Sequence, residues 1–191
     1  MKKYAPVFFV CIFFAVSSRA DADQCIREFT LLSPQPFYYL SFTVELVPAG
    51  GNSPEGGDGM LGLGISLPLL EFWYKSYKNK KGEHISSSGQ IAPQLDVHYS
   101  IVHNWLRIRT GIQLLRFIEE DFFWYDYYVG VSGVFMQNLE DTITTGGISL
   151  AVGVSLSYLI LFYIRFQTQY DFLTIEKYNR FGITFCFGSL L

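Results

Sequence analysis

The chain has 191 residues, of which 50% are hydrophobic, 18% aromatic and 16% charged, with a net charge of −3. That length suits one domain, the apolar content excludes a disordered chain, and no Lys/Arg stripe points to nucleic acid. No apolar run reaches the ~18 residues a spanning helix needs.

The N-terminus has a basic start (Lys2, Lys3), the apolar run Tyr4–Val16 and an Ala20-Asp21-Ala22 site. This pattern predicts a secretory signal peptide over 1–22, too short for a membrane anchor. Cys11 follows Val7-Phe8-Phe9-Val10 and lacks the small preceding residue of a lipoprotein site. Residues 23–36 are read as a periplasmic tail and 37–191 as the folded domain. Cys25 and Cys186 fall in these two parts and are read as unpaired thiols, because the sequence does not bring their Cα atoms together.

From Phe37 onward apolar residues recur with a period of two, which places alternate side chains on opposite faces of a sheet. In Phe37–Val47, Tyr38, Leu40, Phe42, Val44 and Leu46 share one face, against Ser41, Thr43 and Glu45. Leu61–Leu67 carries Gly62, Gly64 and Ser66 on its polar face, and Leu69–Lys78 sets Glu71, Trp73 and Lys75 against Leu70, Phe72 and Tyr74. Gln94–Val102 carries Asp96, His98 and Ser100 in phase, and Trp105–Phe117 sets Leu106, Ile108, Thr110, Ile112 and Leu114 against Arg107, Arg109, Gly111 and Gln113. Ile148–Tyr158, Phe162–Leu173 and Asn179–Ser189 complete the series. One face is greasier than a soluble sandwich exposes, while the other holds Arg, Gln and Asp where a soluble core would be apolar. That inversion predicts an all-β fold: a closed antiparallel transmembrane β-barrel with lipid outside and a polar lumen.

Placing both chain ends in the periplasm makes eight strands, with inner turns at Pro68, at His103-Asn104 and just after Tyr158. The outer connections are then 48–59, 79–90, 118–146 and 174–178, three of them long. Asp121–Gln137 is strand-like and is read as an ordered extension of the third outer loop; the alternative is an extra hairpin, giving ten strands.

Three stretches, LPLLEFWYKSYKNKKG, LDVHYSIVHNWLRIRTGIQL and the closing GISLAVGVSLSY…FYIRFQTQYDFL…NRFGITFCFG, resemble the small outer-membrane β-barrels, the superfamily of OmpX, OmpW, the OmpA barrel and the opacity proteins. The resemblance covers roughly 37–191 and implies an outer-membrane protein of a diderm bacterium, with outer-membrane lipid, periplasmic chaperones and the barrel-assembly machinery as partners. Arg180, Gly182, Ile183, Phe185 and Phe187 resemble the assembly signal, although the chain ends Gly188-Ser189-Leu190-Leu191 rather than on an aromatic residue.

An eight-stranded lumen is filled by side chains. The inward charged set is Glu45, Glu71, Lys75, Asp96, Arg107, Arg109, Arg165 and Asp171, with His98 beside them. Counting from the nearest inner turn puts Glu71, Asp96, Arg107, Arg109 and Arg165 in the inner half and Glu45 and Lys75 near the middle. Buried charges persist when paired, so the set reads as a cross-lumen ion-pair plug, and otherwise as an ion-selective pore. Leu61–Leu67, Ile148–Tyr158 and Asn179–Ser189 present mostly small residues inward and leave room for a small pocket. Aromatic girdles are expected from Phe37, Tyr38, Trp105, Tyr158 and Phe162 on the inner side and Tyr74, Tyr170, Phe172 and Tyr178 on the outer.

His98-Tyr99-Ser100 has the His-x-Ser pattern of a lipid A deacylase family, but both polar residues are predicted to face the lumen beside an inner turn, the wrong face and depth for that lipid. His84, His98 and His103 are too scattered for a metal site, and no phosphate loop or nucleophile elbow is present. No catalytic residue, metal or cofactor is assigned. Phe122, Phe123, Trp124, Tyr125, Tyr127 and Tyr128, interleaved with acids, are the outer-loop interaction candidates, for a host-surface ligand or for gating a hydrophobic molecule. The function expected is non-enzymatic: a plugged structural or adhesin-like surface protein. The alternatives are an OmpW-like carrier or narrow porin-like channel for small hydrophobic molecules and, third, a lipid-modifying enzyme.

Overall fold

The computed structural model describes residues 26–28, 39–48, 57–78, 84–120, 123–158 and 162–190. The expected signal peptide and Cys25 lie outside these residues. The strands are β1 (Ile26–Glu28), β2 (Tyr39–Val47), β3 (Asp58–Ser66), β4 (Leu70–Lys78), β5 (His84–Ser100), β6 (Trp105–Glu120), β7 (Phe123–Asn138), β8 (Thr144–Tyr158), β9 (Phe162–Leu173) and β10 (Arg180–Leu190). The wall runs β5, β3, β2, β10, β9, β8, β7, β6 and back to β5, every neighbouring pair antiparallel. The molecule is therefore a closed eight-stranded barrel. β4 extends β3 along β5, and β1, within the segment read as a periplasmic tail, pairs with β4.

Two expectations about the path of the chain are corrected. Pro68 is not a turn. β3 and β4 both run antiparallel to β5, so the chain passes Pro68 in one direction, with the Leu67 amide donating to the Pro93 carbonyl (2.9 Å) and the Leu69 amide to that of Ile91 (3.1 Å). Successive amides of a strand point to opposite sides, so the N–H that proline lacks falls on the side away from β5 and costs no bond there. The second correction concerns the segment read as a loop extension. Phe123–Asn138 is wall strand β7, paired along its length with β6 and β8. The count of eight stands because one strand is lost at Pro68 and another gained at β7.

Between them, these two changes reverse β4, β5 and β6. One end of the barrel gathers Tyr39, Lys78, His84, Glu120, Phe123, Tyr158, Phe162 and Leu190, and so both ends of the described wall. At the opposite, distal end lie 101–104, 139–143 and 174–179. The connections expected at 79–90 and 118–146 are thus largely strand; 84–90 and 118–120 lie at the terminal end, while 139–146 and Asn104 belong to the distal end. The distal turns are compact. Asn104 has φ 53° and Thr142 φ 56°, in the left-handed region a tight turn requires. Asn104 Nδ2 donates to Glu140 at 2.5 Å, and the Leu139 amide donates to the Asn104 carbonyl at 3.0 Å.

The stagger of the barrel follows from the pairing. A walk from Arg116 through Tyr127, Val154, Phe166, Phe185, Val44, Leu61 and Tyr99 returns to β6 at Leu106, ten residues from its start. Ten residues of stagger over eight strands tilts them by about 40° and sets a wall radius of about 8 Å, which side chains can fill. Each step of the walk falls about 3 Å along the axis, so Arg116 and Leu106 stand about 25 Å apart in height, the thickness of an apolar band. Every outward residue between them on that walk is apolar or Tyr. Phe42, Leu63, Val97, Ile112, Val131, Val154, Ile164 and Phe187 are all exposed, one on each strand of the wall. Their opposite faces carry the buried polar residues. This is the inverted pattern of a membrane-spanning barrel, seen in the fold itself.

Candidate functional site

The residues with chemistry lie in the lumen, where the period of two sends every second side chain. At the distal end Met60, Trp105, Val134, Met136, Leu173 and Tyr178 form a buried apolar cap. Tyr178, from the short 3-10 turn Glu176–Tyr178, meets Trp105 edge-on with ring centroids 5.0 Å apart. Trp105 and Tyr178, expected in the girdles, are therefore lumen residues. Below them Arg180 lies 3.8 Å from Asp58, and Ser100 donates to Asp58 at 2.8 Å.

The next level holds the densest charge. Arg107 forks both terminal nitrogens onto Glu45, and Nη1, 2.8 Å from Oε1, also reaches Asp171 at 3.1 Å. All three side chains are fully buried. Arg107 stands three strands from β2 and three from β9 around the wall, so this cluster crosses the barrel. A further level toward the terminal end, Arg109 lies 3.6 Å from Asp96 and donates to Gln169, which also accepts from Gln167 at 2.6 Å. His98 Nε2 is 2.8 Å from the Thr43 hydroxyl. Toward the terminal end, Gln94 donates to Ser132 (2.6 Å), Ser66 to Gln113 (3.2 Å) and the Tyr128 hydroxyl to Gln167. Arg165 then lies 4.0 Å from Asp126 and 4.5 Å over the Tyr128 ring. Trp124 packs against Tyr163 and Cys186, a buried free thiol.

The small inward residues are seats for this filling. A Cβ on Gly62 would meet the His98 ring at 2.5 Å, one on Gly153 the Tyr128 ring at 2.5 Å, and one on Gly182 the Glu45 carboxylate at 2.5 Å. Space that the sequence suggested for a pocket is occupied by long side chains from other strands. Gly153→Val is accordingly expected to lower the unfolding midpoint in detergent much more than Ala151→Val, since only the first drives into a buried ring.

The structure brings together Glu45, Asp96, Arg107, Arg109 and Asp171. Arg165 is not with them: it lies toward the terminal end with Asp126, because reversing β5 and β6 carries Arg107 and Arg109 to the distal half. Glu71 is also buried, opposite Gln90 on the terminal side. A bulge between Glu71 and Trp73 puts Lys75 in register with Ser87, out of the phase shared by Glu71 and Gln90, which removes its backbone position from the lumen series. The side chain of Lys75 is outside the described residues.

Asp58, Asp126, Arg180 and Tyr128 were not expected in the lumen. Their signal was present: Arg180 is in phase with Gly182 and Thr184, and Asp126 and Tyr128 are in phase with Gly130 and Ser132. The aromatic segment is likewise not one surface. Phe123 and Tyr127 are exposed and Tyr125 half-buried, Tyr128 faces the lumen against Ala92 and Leu115, and Phe122 lies outside the described residues. In the candidate assembly signal, Arg180 and Gly182 face inward, while Ile183, Phe185 and Phe187 face outward on β10, the strand that closes the wall against β2. His98 and Ser100 are fully buried and Tyr99 is exposed. Their face is as expected, but their depth is corrected, since the turn beside them is at the distal end.

No protein-family model matches the sequence, and no curated protein matches it. Among solved structures, the chain is similar to the outer-membrane enzyme PagL, with 10% identity over 79% of this chain and 98% of that one, at a TM-score of 0.46. It is also similar to Ail, the attachment invasion locus protein of Yersinia pestis, in complex with the heparin analogue sucrose octasulfate (10% identity, 80% and 94% covered, TM-score 0.31). A third similar structure is an active-site mutant of outer-membrane phospholipase A from Escherichia coli (10% identity, 88% and 94% covered, TM-score 0.23). None of the three brings a function to this chain.

Proposed function

We propose that this chain is an integral outer-membrane β-barrel with a sealed lumen, whose role is structural or one of surface contact rather than transport or catalysis. The observation that carries this reading is the Arg107–Glu45–Asp171 cluster, which crosses the lumen with all three side chains buried. A capped lumen packed at every level offers no continuous path, and the glycine seats that suggested a carrier pocket are filled. His98 and Ser100 bond Thr43 and Asp58 respectively, and face away from lipid, which counts against a surface lipase. With the chain ends in the periplasm, the contact surface is the distal end, where Ile101, Val102 and Leu139 are exposed beside the acids Glu140 and Asp141.

Two experiments test the reading. Liposomes containing the full mature chain are expected to retain entrapped sugars and salts as long as bare liposomes do, and to leave their own lipids unhydrolysed. Rapid solute loss would favour a channel, and lipid hydrolysis the enzyme. For orientation, single-cysteine labelling of intact cells should reach positions Glu140 and Lys177 and fail at Phe123. Labelling at Phe123 alone would invert the barrel.

A further inference from the structure

We propose that Asp171 anchors an internal water site in the distal half of the lumen; the proposal rests on the sealed-lumen reading above. Asp171 is fully buried and uses one carboxylate oxygen, Oδ2, for Arg107. Its other oxygen, Oδ1, has no hydrogen-bond partner. Three more residues stand beside Asp171. Ser149 is its cross-strand partner on β8 and Arg180 its partner on β10, while Arg107 arrives from the opposite wall. Each brings an unpartnered buried atom: the Ser149 hydroxyl, Arg180 Nε and Arg107 Nε. Ser149 is 2% exposed and Arg180 5%, so bulk solvent does not satisfy them.

Buried donors and acceptors left unpaired cost free energy, and native proteins satisfy them with protein groups or ordered water. The inward residues flanking Ser149 on β8 are Gly147 and Ala151, so β8 itself brings no long side chain beside Asp171. The chemistry selects the occupant. Two guanidinium groups disfavour a cation, and the carboxylate disfavours an anion. Water both accepts from an N–H and donates to a carboxylate, and so suits this mixed set. The Arg109 level with Asp96 and Gln169 lies on the terminal side and the apolar cap on the distal side, so the water belongs to a closed site rather than to a channel.

The test uses the full mature chain in lipid bilayers. Water-edited solid-state NMR follows proton magnetisation from water to labelled side chains. Transfer to the Asp171 carboxyl and to Ser149 is expected to build up nearly as fast as to the exposed Glu140, and several-fold faster than to Met136 in the apolar cap. Ser149→Val should slow the transfer to Asp171 several-fold, whereas Ser157→Val, on the same face of the same strand, should leave it unchanged. If Ser149→Val does not assemble, the wild-type comparison of Asp171 with Met136 decides alone. Transfer to Asp171 as slow as to Met136 would overturn the water site. A large ionic conductance would instead overturn the sealed lumen, so the two failures are separable.

Discussion

Arg107→Ala is expected to destabilise the barrel by roughly 3–5 kcal/mol, the cost of removing one partner of a buried ion pair. The substitution leaves Glu45 and Asp171 facing each other across a water-poor interior without their shared cation. Thr184, 3.4 Å from Glu45, is too weak a donor to replace it. The effect should be read as a fall in the unfolding midpoint by denaturant titration in lipid vesicles. A double substitution, Arg107→Met with Glu45→Gln, is expected to cost less than the two single changes summed, because Glu45 then no longer carries the charge that losing Arg107 strands. Strict additivity would mean that the three side chains are not one unit. Arg165→Ala should also destabilise, but independently of Arg107→Ala, since Arg165 belongs to the terminal-end group.

The second large effect concerns the lipid face and its depth. Val131 lies four residues along β7 from Tyr127 toward the distal end, which puts it about 13 Å from the terminal rim, near the middle of the apolar band. It is exposed, and Val131→Arg is expected to cost roughly 2–4 kcal/mol and to reduce insertion into the membrane. Ile164 is just as exposed but lies near that rim, and Ile164→Arg is expected to cost only about 0–1 kcal/mol. A lumen-facing polar change beside the belt, Ala151→Ser, should be nearly silent. Folding yield in vesicles and the unfolding midpoint report both. Equal penalties for Val131→Arg and Ile164→Arg would contradict the ten-residue stagger from which the depths are read.

The class of fold was legible because a membrane barrel inverts the usual pattern, and the period of two in Phe162–Leu173 or Trp105–Phe117 needs no tertiary information. The path of the chain was less legible. Proline is a turn signal in most contexts, yet Pro68 sits where its missing N–H faces away from β5. Taking it as a turn supplied a spurious strand, which left no place for β7 in an even-stranded barrel and pushed Phe123–Asn138 into a loop. The inward set of charges could be read from phase alone, but their partners could not. Whether Arg107 meets Glu45 and Asp171 depends on the stagger around the whole wall, a property of the closed barrel that no local stretch encodes. Asp58 and Arg180 were not read as lumen residues because each begins its strand, next to a Gly-rich segment and a turn, where alternation is shortest. A bulge after Glu71 shifts the backbone register at Lys75 by one extra residue that nothing in the sequence marks.

Planar-bilayer recording of the purified, refolded wild-type chain tests the sealed lumen most directly. If the apolar cap, the crossing Arg107 cluster and the Tyr128 level seal the lumen as proposed, the expected result is a baseline without steady unitary steps in molar salt, at either polarity. A large, steady, ion-selective conductance would contradict it.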